Sequence, residues 1–357
     1  MKNSPSVPLL ICSILLIIIG VITIATASPP FAINKGLASN HYLIHQLLYG
    51  FLPGILLGAI AFFTPLKTLK KYSLPLFIFS FALMFLVFVP GIGVFEKGAT
   101  RWVNLFGFNF QPSEFLKLTT IIYLSAIYSS EKKRKPLSNF FTIIVLVGIA
   151  FCAQSDLSTF AIIVTASLAI IFSANIKPKD IILAGFASLL GLSFLIITEG
   201  YRADRILSIF SPELASDLHH KNQALISIGS GGLNGSGLGL SAQKFGFVPE
   251  AMSDSIFTIY AEELGFLGCA FLIFVLISFV FSVFSIAKKS TPFPKLIAIG
   301  IGTWIVSQSF INIFAMSGLF PISGIPLPFL SYGGTHLVFE LIAIGLLLNI
   351  AKSINKK

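Results

Sequence analysis

Apolar residues in this chain fall in long continuous blocks of about 16–30 residues, which short polar segments separate. A helix that rises about 1.5 Å per residue crosses a hydrocarbon core of about 30 Å with about 20 residues. The pattern therefore predicts an all-α polytopic membrane protein with about ten transmembrane helices. The absence of alternation within the blocks argues against a ten-stranded barrel. The ten blocks are residues 8–27, 45–64, 72–90, 113–130, 138–154, 157–174, 181–198, 256–285, 295–316 and 333–350.

The charge content supports a membrane location. Only 11% of the residues are charged and 55% are hydrophobic, whereas a soluble domain carries roughly 25% charged residues. The net charge of +10 could indicate a nucleic-acid-binding protein, but the positions of the cations indicate topology instead. If the N-terminus is inside and the spans alternate, 16 of the 24 lysines and arginines lie inside, 7 lie outside and Lys117 lies in a span. This bias follows the positive-inside rule and predicts that both termini are cytoplasmic.

Most connections between the blocks are short, so we expect one transmembrane domain over residues 1–357. The longest polar segment, residues 199–255, is predicted to be an extracytoplasmic loop between the seventh and eighth helices. Residues 317–332 are uncharged and rich in proline and glycine, which prevents regular helix throughout. Such backbone at membrane depth must be buried in protein, so we expect a re-entrant turn that packs against the bundle.

Ionisable residues within membrane spans are costly and are functional candidates by default. Glu114 and Lys117 are three positions apart and share a helix face. They could form a structural ion pair, or they could contact a substrate. Arg101 lies just outside the same span and could bind an anionic group. Glu340 needs a partner within the last span, and His336 could be that partner or could be part of the polar packing.

Three further carboxylates lie near predicted helix ends. Asp156 follows a short break between the fifth and sixth spans, where an aspartate is a natural helix N-cap. Glu262 and Glu263 lie about two turns into the eighth span. We expect one of these two glutamates to face a cavity and the other to face the headgroup zone.

The long outer loop is the most informative region for chemistry. Arg202 and Arg205 could grip a phosphate or pyrophosphate, or they could be interfacial residues with extended side chains. Six of the eleven residues 229–239 are glycine, which would let backbone N–H groups approach an anion or would simply make the loop flexible. Asp254 stands where the loop meets the eighth span. A carboxylate partly removed from water there could serve as a general base, and the alternative is an N-cap for the following helix.

Seven segments of the chain, in this order, resemble the SEDS family (shape, elongation, division and sporulation), which FtsW and RodA typify. They span about two thirds of the chain, and the tetrapeptides QPSE and SYGG are specific to this family. The segments are GATRWVNLFGFNFQPSEFLKL (98–118), QSDLST (154–159), RILSIFSPE (205–213), ALISIGSGGLNGSGLG (224–239), QKFGFVPEAMSDSIF (243–257), EELGFLG (262–268) and GIPLPFLSYGG (324–334).

The resemblance implies a ten-helix peptidoglycan glycosyltransferase of the bacterial cytoplasmic membrane, which polymerises lipid II at the outer face. It implies a class B penicillin-binding protein as the partner and no organic cofactor. Mg²⁺ or Mn²⁺ is the metal ion that such a reaction could use. The essential loop aspartate of the family falls on Asp254, which favours the base over the cap. Met252 and Ser255 stand where the family commonly has His and Phe, and Ser236 replaces a lysine that is often found between two glycines.

The resemblance and the charge pattern together give a set of residues expected to contact the substrate. Conserved polar positions of the family fall on three of them, and cations near the outer loop would stabilise a departing pyrophosphate. The set is Arg101, Glu114, Lys117, Arg202, Arg205, Lys244 and Glu250.

Two other functions are compatible with the sequence. A flippase for a lipid-linked precursor would need a polar path through the bundle, and Glu114, Lys117 and Glu340 are candidates to line it. A non-enzymatic scaffold of the division or elongation machinery would need no such path and no base. The stretch QKFGFVPEA favours a division protein of the FtsW type over an elongation protein.

Overall fold

The structure, a computed structural model, describes residues 6–96, 99–105, 108–130, 136–174, 176–197 and 218–354. Arg202 and Arg205, which we expected to bind phosphate, lie outside the described residues, as does most of the first half of the long outer loop.

All ten apolar blocks are helical, which confirms the predicted all-α architecture. The second block is built from two α-helices joined by a π-helical turn, Leu47–Phe51, and the third ends in a 3-10 turn, Met84–Phe88. In chain order the α-helices are α1 (Ser6–Asn34), α2 (His41–Gln46), α3 (Leu52–Phe63), α4 (Leu66–Lys71), α5 (Ser73–Leu83), α6 (Pro112–Tyr128), α7 (Pro136–Ala153), α8 (Leu157–Ser173), α9 (Pro178–Ile197), α10 (Leu218–Ser230), α11 (Ile256–Lys289), α12 (Pro292–Met316) and α13 (Gly334–Ile354).

Six of the described helical segments are long and apolar enough to cross a membrane: α1, the α2–α3 segment, α9, α11, α12 and α13. Helices α5, α7 and α8 are apolar but shorter. Helices α12 and α13 lie at the centre of the bundle, since 72% of the residues in their most apolar stretches are buried, against 6% in α9. Helix α13 lies against α3, where a Cβ on Gly345 would be only 2.1 Å from the carbonyl oxygen of Gly58. Glycines at this crossing therefore allow close helix packing.

Segments that the charge pattern places on the same side of the membrane come together at one end of the bundle. The cavities at that end are lined by the ends of α4, α6, α8, α11, α12 and α13 that the charge bias predicts to be cytoplasmic. At the opposite end, Arg101 bonds the carbonyl of Ser155 and Lys244 bonds the carbonyl of Thr26. This is the arrangement that alternating spans require. The assignment of the first end to the cytoplasm stays a prediction from the charge bias, and on that basis alone the opposite end is called the outer end below.

A three-stranded antiparallel sheet lies in the segment between α5 and α6, outside the ten apolar blocks. Its strands are β1 (Gly93–Glu96), β2 (Ala99–Leu105) and β3 (Phe108–Phe110), in the order β1-β2-β3. Val94 pairs with Trp102, and Val103 pairs with Phe110. Val103 is fully buried, so the sheet packs one face against the outer end of the bundle and holds Arg101 on β2.

Helix α11 is interrupted at Gly265, whose φ of 64° is not helical. The glycine-rich segment 231–239 packs into this interruption and completes its hydrogen bonds. The N–H groups of residues 236–237 donate to the carbonyls of Glu262 and Glu263 at 2.9 and 3.0 Å. Beyond the interruption, two N–H groups of α11 donate back to carbonyls of the glycine-rich segment. The segment therefore replaces the helical bonds that the break removes.

The close contact explains why glycine is needed here. A Cβ on Gly235 would lie 2.2 Å from the carbonyl oxygen of Glu263, and the φ of Gly235 is +80°. The proposal that backbone N–H groups of this segment face an anion is wrong at Ser236 and Gly237, because their N–H groups already bond the broken helix. Instead, the segment packs against α11 and is hydrogen-bonded to it.

The segment 317–332 has no regular helix, as its prolines predicted, and it packs against the bundle. Ile325, Leu327 and Phe329 are buried within it. The hydroxyl of Ser331 donates to the carbonyl of Ser253 at 2.6 Å. The segment therefore lies directly against the end of the long outer loop.

Candidate active site at the outer end of the bundle

Asp254 lies on a tight turn that leads into α11. The N–H groups of Ser253 and Ser255 both donate to the carbonyl of Glu250, whose φ is +53°. Ser255 occupies the N-cap position of α11, so Asp254 stands one residue outside the helix. Its carboxylate is half-buried at the outer mouth of the bundle, where it is partly desolvated and still within reach of a ligand.

The segment 317–332 holds this turn from one side. The side-chain amide of Asn312 donates to the carbonyls of Asp254 and Ile325, both at 2.7 Å. The N–H of Tyr332 donates to the carbonyl of Met252 at 2.8 Å. A Cβ on Gly324 would lie 3.6 Å from Oδ2 of Asp254. The backbone on both sides of Asp254 is therefore fixed by α12 and by the proline-rich segment.

Glu114 and Lys117 form the buried ion pair that their spacing allowed, with Nζ of Lys117 2.9 Å from Oε1 of Glu114. The ammonium group also donates to Oε1 of Gln308 at 2.9 Å and lies 4.5 Å from the centre of the Trp304 ring. Gln308 in turn donates to the carbonyl of Pro326. The pair is thus connected through α12 to the same segment that holds Asp254.

The link between the ion pair and Asp254 runs along one face of α12. Trp304, Gln308 and Asn312 are spaced i, i+4 and i+8, so they point in one direction. Trp304 also donates to Oε1 of Gln308 at 2.8 Å. All three are buried. Sequence reasoning missed these residues, although polar side chains at one-turn spacing in an apolar helix are a readable signal.

Three oxygen atoms near this face are buried and have no hydrogen-bond partner among the described residues. They are Oε2 of Glu114, Oε1 of Glu340 and Oδ1 of Asn312. Oε2 of Glu340 accepts from the N–H of Phe329 at 2.8 Å. The partner of Glu340 is thus this backbone N–H, while His336 lies 3.0 Å from the carbonyl oxygen of Ser331.

The side chain of Arg101 is hydrogen-bonded to the protein. Its guanidinium donates to the carbonyls of Gln154 and Ser155, at 3.3 and 2.6 Å, directly after the end of α7. Asp156 accepts from the N–H of Thr159 at 3.2 Å, which confirms its predicted role as the N-cap of α8. A substrate-binding role for Arg101 stays a prediction, and the side chain is already placed at the outer end by these two bonds.

Lys244 is enclosed by protein, in contrast to its expected position beside a pyrophosphate. It is 5% exposed, and its ammonium donates to the carbonyls of Thr26 and Gly239. Oε1 of Glu263 lies 3.5 Å away. With three protein oxygens around it, Lys244 ties α1 to the glycine-rich segment and to α11.

Glu262 and Glu263 are both buried, so the expectation that one of them faces the headgroup zone is wrong. The carboxylate of Glu262 accepts from the hydroxyls of Ser227 and Ser241 and from the N–H of Ala242. Glu263 accepts from the hydroxyl of Thr26 at 2.7 Å. Both carboxylates are used to pack the outer loop onto α11.

Glu250 remains accessible on the turn before α11. It is exposed, and its Oε2 accepts from the hydroxyl of Ser253 at 2.8 Å. Among the described residues, no group of three or more His, Cys, Asp or Glu side chains forms a metal cluster. Among the carboxylates of this end whose side chains the structure describes, those of Glu250 and Asp254 are accessible.

The chain is similar in sequence and in fold to known proteins over almost its whole length. The family model FtsW/RodA/SpoVE, described as "Cell cycle protein", matches residues 7–356. A probable peptidoglycan glycosyltransferase FtsW from Geobacter sp. (strain M18) is 34% identical over 96% of this chain and 95% of its own length. Stage V sporulation protein E from Bacillus subtilis (strain 168) is 36% identical over 98% of both chains.

Solved structures with the same fold cover almost the whole chain. A chain from a peptidoglycan synthase complex that coordinates polymerization and crosslinking superposes with a TM-score of 0.80 at 20% identity, over 98% of both chains. The rod shape determining protein RodA of Thermus thermophilus superposes with a TM-score of 0.72 at 22% identity, over 97% of this chain and 96% of its own. At identities of 20% and 22%, this similarity shows that the fold is shared and nothing further.

Proposed function

The chain belongs to the FtsW/RodA/SpoVE family of cell cycle proteins, also called SEDS proteins, and we propose that it is a peptidoglycan glycosyltransferase. It polymerises lipid II into glycan strands at the outer face of the bacterial cytoplasmic membrane, in which it is a multi-pass protein. A class B penicillin-binding protein is its partner and crosslinks the new strand. The relatives at 34% and 36% identity cover the chain almost completely, so the proposal rests on the whole domain.

The observation that carries this proposal is the placement of Asp254. Its carboxylate is half-buried at the outer end, on a turn that Asn312, Ser331 and Tyr332 hold through backbone carbonyls. A fixed backbone with an accessible carboxylate is what a general base requires, because proton transfer depends on a defined distance to the reacting hydroxyl.

The proposed reaction is a single displacement with inversion. The acceptor sugar hydroxyl loses its proton to the carboxylate of Asp254 as its oxygen forms a bond to the anomeric carbon of the donor sugar. The bond from that carbon to the pyrophosphate breaks on the opposite side. The polyprenyl pyrophosphate leaves with the bonding electron pair, so negative charge increases on its oxygen atoms.

Cations near the outer end would stabilise that charge. Arg101 is placed there by its bonds to Gln154 and Ser155, and we propose the same role for Arg202 and Arg205, which lie outside the described residues. Lys244 is enclosed by three protein oxygens, so its contribution is to hold the loop unless substrate binding frees the ammonium. Glu114 and Lys117 are buried below the turn and act on the site through α12.

Mg²⁺ or Mn²⁺ fits this site only together with a substrate. Mg²⁺ is commonly held by one or two carboxylates and by substrate phosphates. Asp254 and Glu250 lie on the same turn, and their carboxylates match that donor set. A bound divalent cation would neutralise part of the pyrophosphate charge. Activity that survives complete chelation of divalent cations would argue against this part of the proposal.

The experiment that tests the function is polymerisation of purified lipid II by the purified full chain with its penicillin-binding partner. Asp254→Asn keeps the shape of the side chain and removes the base, so the glycan product should fall by roughly 100-fold or more. Asn349→Ala, at the far end of the bundle, is the control and should retain activity. Polymerisation at the wild-type rate by Asp254→Ala would refute the base role.

The same preparation separates the glycosyltransferase from a flippase. Glu114, Lys117 and Glu340 would line a transport path, but each is at most 3% exposed, so they do not line an open path in the structure. Transbilayer movement of labelled lipid II in proteoliposomes without formation of polymer would favour the flippase.

The relatives named FtsW and the QKFGFVPEA stretch favour a role in cell division. Depletion of the protein tests this directly. Filaments or incomplete septa would support division, whereas rounded cells would indicate a role in elongation.

A further inference from the structure

The end of the bundle opposite Asp254 contains a cavity of about 260 Å³ that no part of the proposed reaction uses. It lies between α4, the α11–α12 connection and the end of α13. Its floor is apolar and includes Phe293 and Pro294. Three lysines border it, Lys67, Lys70 and Lys289. We refer to this site as the lysine cavity.

The three lysines have no anionic partner in the part of the chain that the structure describes. None of their ammonium groups forms an ion pair or hydrogen bond with a described residue. Lys67 and Lys70 are three positions apart on α4 and therefore share its face. The ammonium of Lys70 lies 5.6 Å from the centre of the Phe293 ring, at the wall of the cavity. Like charges that converge on one space without a counter-charge repel each other, so an anion there would be stabilising.

The hydroxyl of Thr291 supplies a hydrogen-bond donor at the same place. Ser290 and Ser353 also line the cavity, but their hydroxyls donate to the carbonyls of Ile286 and Ile350. The start of α12 adds little, because Pro292 and Pro294 have no N–H to donate. Three lysines and one hydroxyl donor suit a group with negative charge and acceptor oxygens, and a phosphate has both.

An apolar surface leads from the hydrocarbon region to this end of the bundle. Ile277, Phe281 and Phe284 of α11 are 42%, 71% and 54% exposed. Together with Lys288 they are spaced i, i+4, i+7 and i+11, so they form one stripe that ends in a cation. A second cavity of about 420 Å³, lined by Lys288 and Lys295 among others, shares Ser290 with the lysine cavity. The ligand chemistry is thus amphiphilic, with acyl chains along the stripe and an anionic group among lysines.

We propose that the lysine cavity binds the phosphate headgroup of an anionic phospholipid of the cytoplasmic leaflet. Basic pockets between transmembrane helices on the cytoplasmic side bind such headgroups, and each nearby lysine strengthens binding by about fivefold. The charge bias places this end of the bundle in the cytoplasm. The site joins α4, α11, α12 and α13, so an occupied cavity holds the inner ends of α11 and α12, whose opposite ends lie next to Asp254.

The test uses the purified full chain in nanodiscs of phosphatidylcholine, with or without a fraction of phosphatidylglycerol. Bound phosphatidylglycerol is counted by native mass spectrometry, and the thermal unfolding midpoint is recorded. Wild-type protein should retain phosphatidylglycerol and unfold at a higher temperature when it is present. The K67Q/K70Q/K289Q variant should bind it at least about tenfold more weakly, with its midpoint no longer dependent on the lipid.

The matched control is K71Q/K177Q/K179Q, which removes three exposed lysines that do not line the lysine cavity. It should bind the lipid like the wild type. Equal loss in both variants would show that total charge, rather than this site, attracts the lipid, and would overturn the proposal. So would equal stabilisation of the wild type by inorganic phosphate in phosphatidylcholine discs, because the ligand would then be a soluble anion.

Two measurements keep the proposal testable if the glutamine variant does not fold. K67R/K70R/K289R keeps the charge and should bind phosphatidylglycerol within a few-fold of the wild type; a folded arginine variant without binding would contradict the proposal. In wild-type protein, added salt should lower the amount of bound phosphatidylglycerol, since salt screens exposed charges. Binding that is independent of salt and equal for phosphatidylcholine would also overturn it.

Discussion

The side-chain amide of Asn312 lies 2.7 Å from the backbone carbonyl of Asp254 and donates a hydrogen bond to it. The second proton of the same amide bonds the carbonyl of Ile325. One side chain in the centre of the bundle thus fixes the backbone of the proposed base and the proline-rich segment beside it. The catalytic turn depends on a residue that does not touch the reacting atoms.

Asn312→Ala should therefore lower both activity and stability. It leaves two carbonyls without this donor, and each unsatisfied buried group costs about 1–3 kcal/mol. We expect a loss of roughly tenfold or more in the rate of lipid II polymerisation, because small displacements of a base have large effects. The control is Asn349→Ala, which removes similar bonds to the carbonyls of Ala61 and Thr64 near the far end of α3. Equal loss of activity in both variants would show that stability alone, and not the position of Asp254, is responsible.

Gly324→Ala tests the space next to Asp254. Gly324 has a φ of +65°, and a new Cβ would stand 3.6 Å from the Asp254 carboxylate. Gly36→Ala is a matched control, with a φ of +68° and nothing within 4 Å of the new Cβ. Both variants should lose about 1–2 kcal/mol of stability from backbone strain, as measured by thermal unfolding. Only Gly324→Ala should reduce polymerisation markedly, and similar activities in the two variants would contradict a confined site.

The glycine-rich segment should be intolerant of side chains where it meets α11. Gly235 and Gly239 have φ values of +80° and +77°, but only at Gly235 would a Cβ strike backbone, 2.2 Å from the Glu263 oxygen. Gly239→Ala should cost about 1–2 kcal/mol. Gly235→Ala should cost clearly more, because the segment must move away from the broken helix. Unfolding midpoints measured side by side in one detergent decide this, and equal shifts would mean that the contact is not tight.

The buried pair of Glu114 and Lys117 should show strong coupling. Lys117→Met leaves the Glu114 carboxylate buried without its cation and should destabilise the protein by about 3–5 kcal/mol. Glu114→Gln together with Lys117→Met should recover part of that loss, since no charge is then left uncompensated. A double-mutant cycle on unfolding free energies measures the coupling. Additive effects of the two substitutions would show that the pair makes no net contribution.

The apolar pattern was sufficient to predict the helices because each span must bury its backbone bonds within itself. The N-cap role of Asp156 and the pairing of Glu114 with Lys117 could also be predicted, since an N-cap and an i, i+3 pair depend on neighbours in the sequence. The small sheet at 93–110 was not predicted. Its strands have only 3–7 residues and lie outside the apolar blocks, although the alternation around Val103 was a usable signal.

Contacts between residues that are far apart in the chain could not be predicted from the sequence. Lys244 was expected beside the substrate, yet its partners Thr26 and Glu263 come from helices that are far apart in the chain. Asn312 was passed over because nothing in its own helix indicates that Asp254 and Ile325 lie within its reach. The position of Asp254 at the site was supported by motifs, whereas the manner in which it is held became visible only in three dimensions.

The repair of α11 by residues 231–239 has a consequence for how this protein can be altered. By composition, this stretch would be chosen as a place for an epitope tag or a cleavage site. Its carbonyl and N–H groups instead stand in for a missing turn of a membrane helix, so an inserted residue would shift the register of every bond across the break. The glycines of this stretch support the broken helix from outside, and the length of the stretch is fixed as strictly as the length of a span.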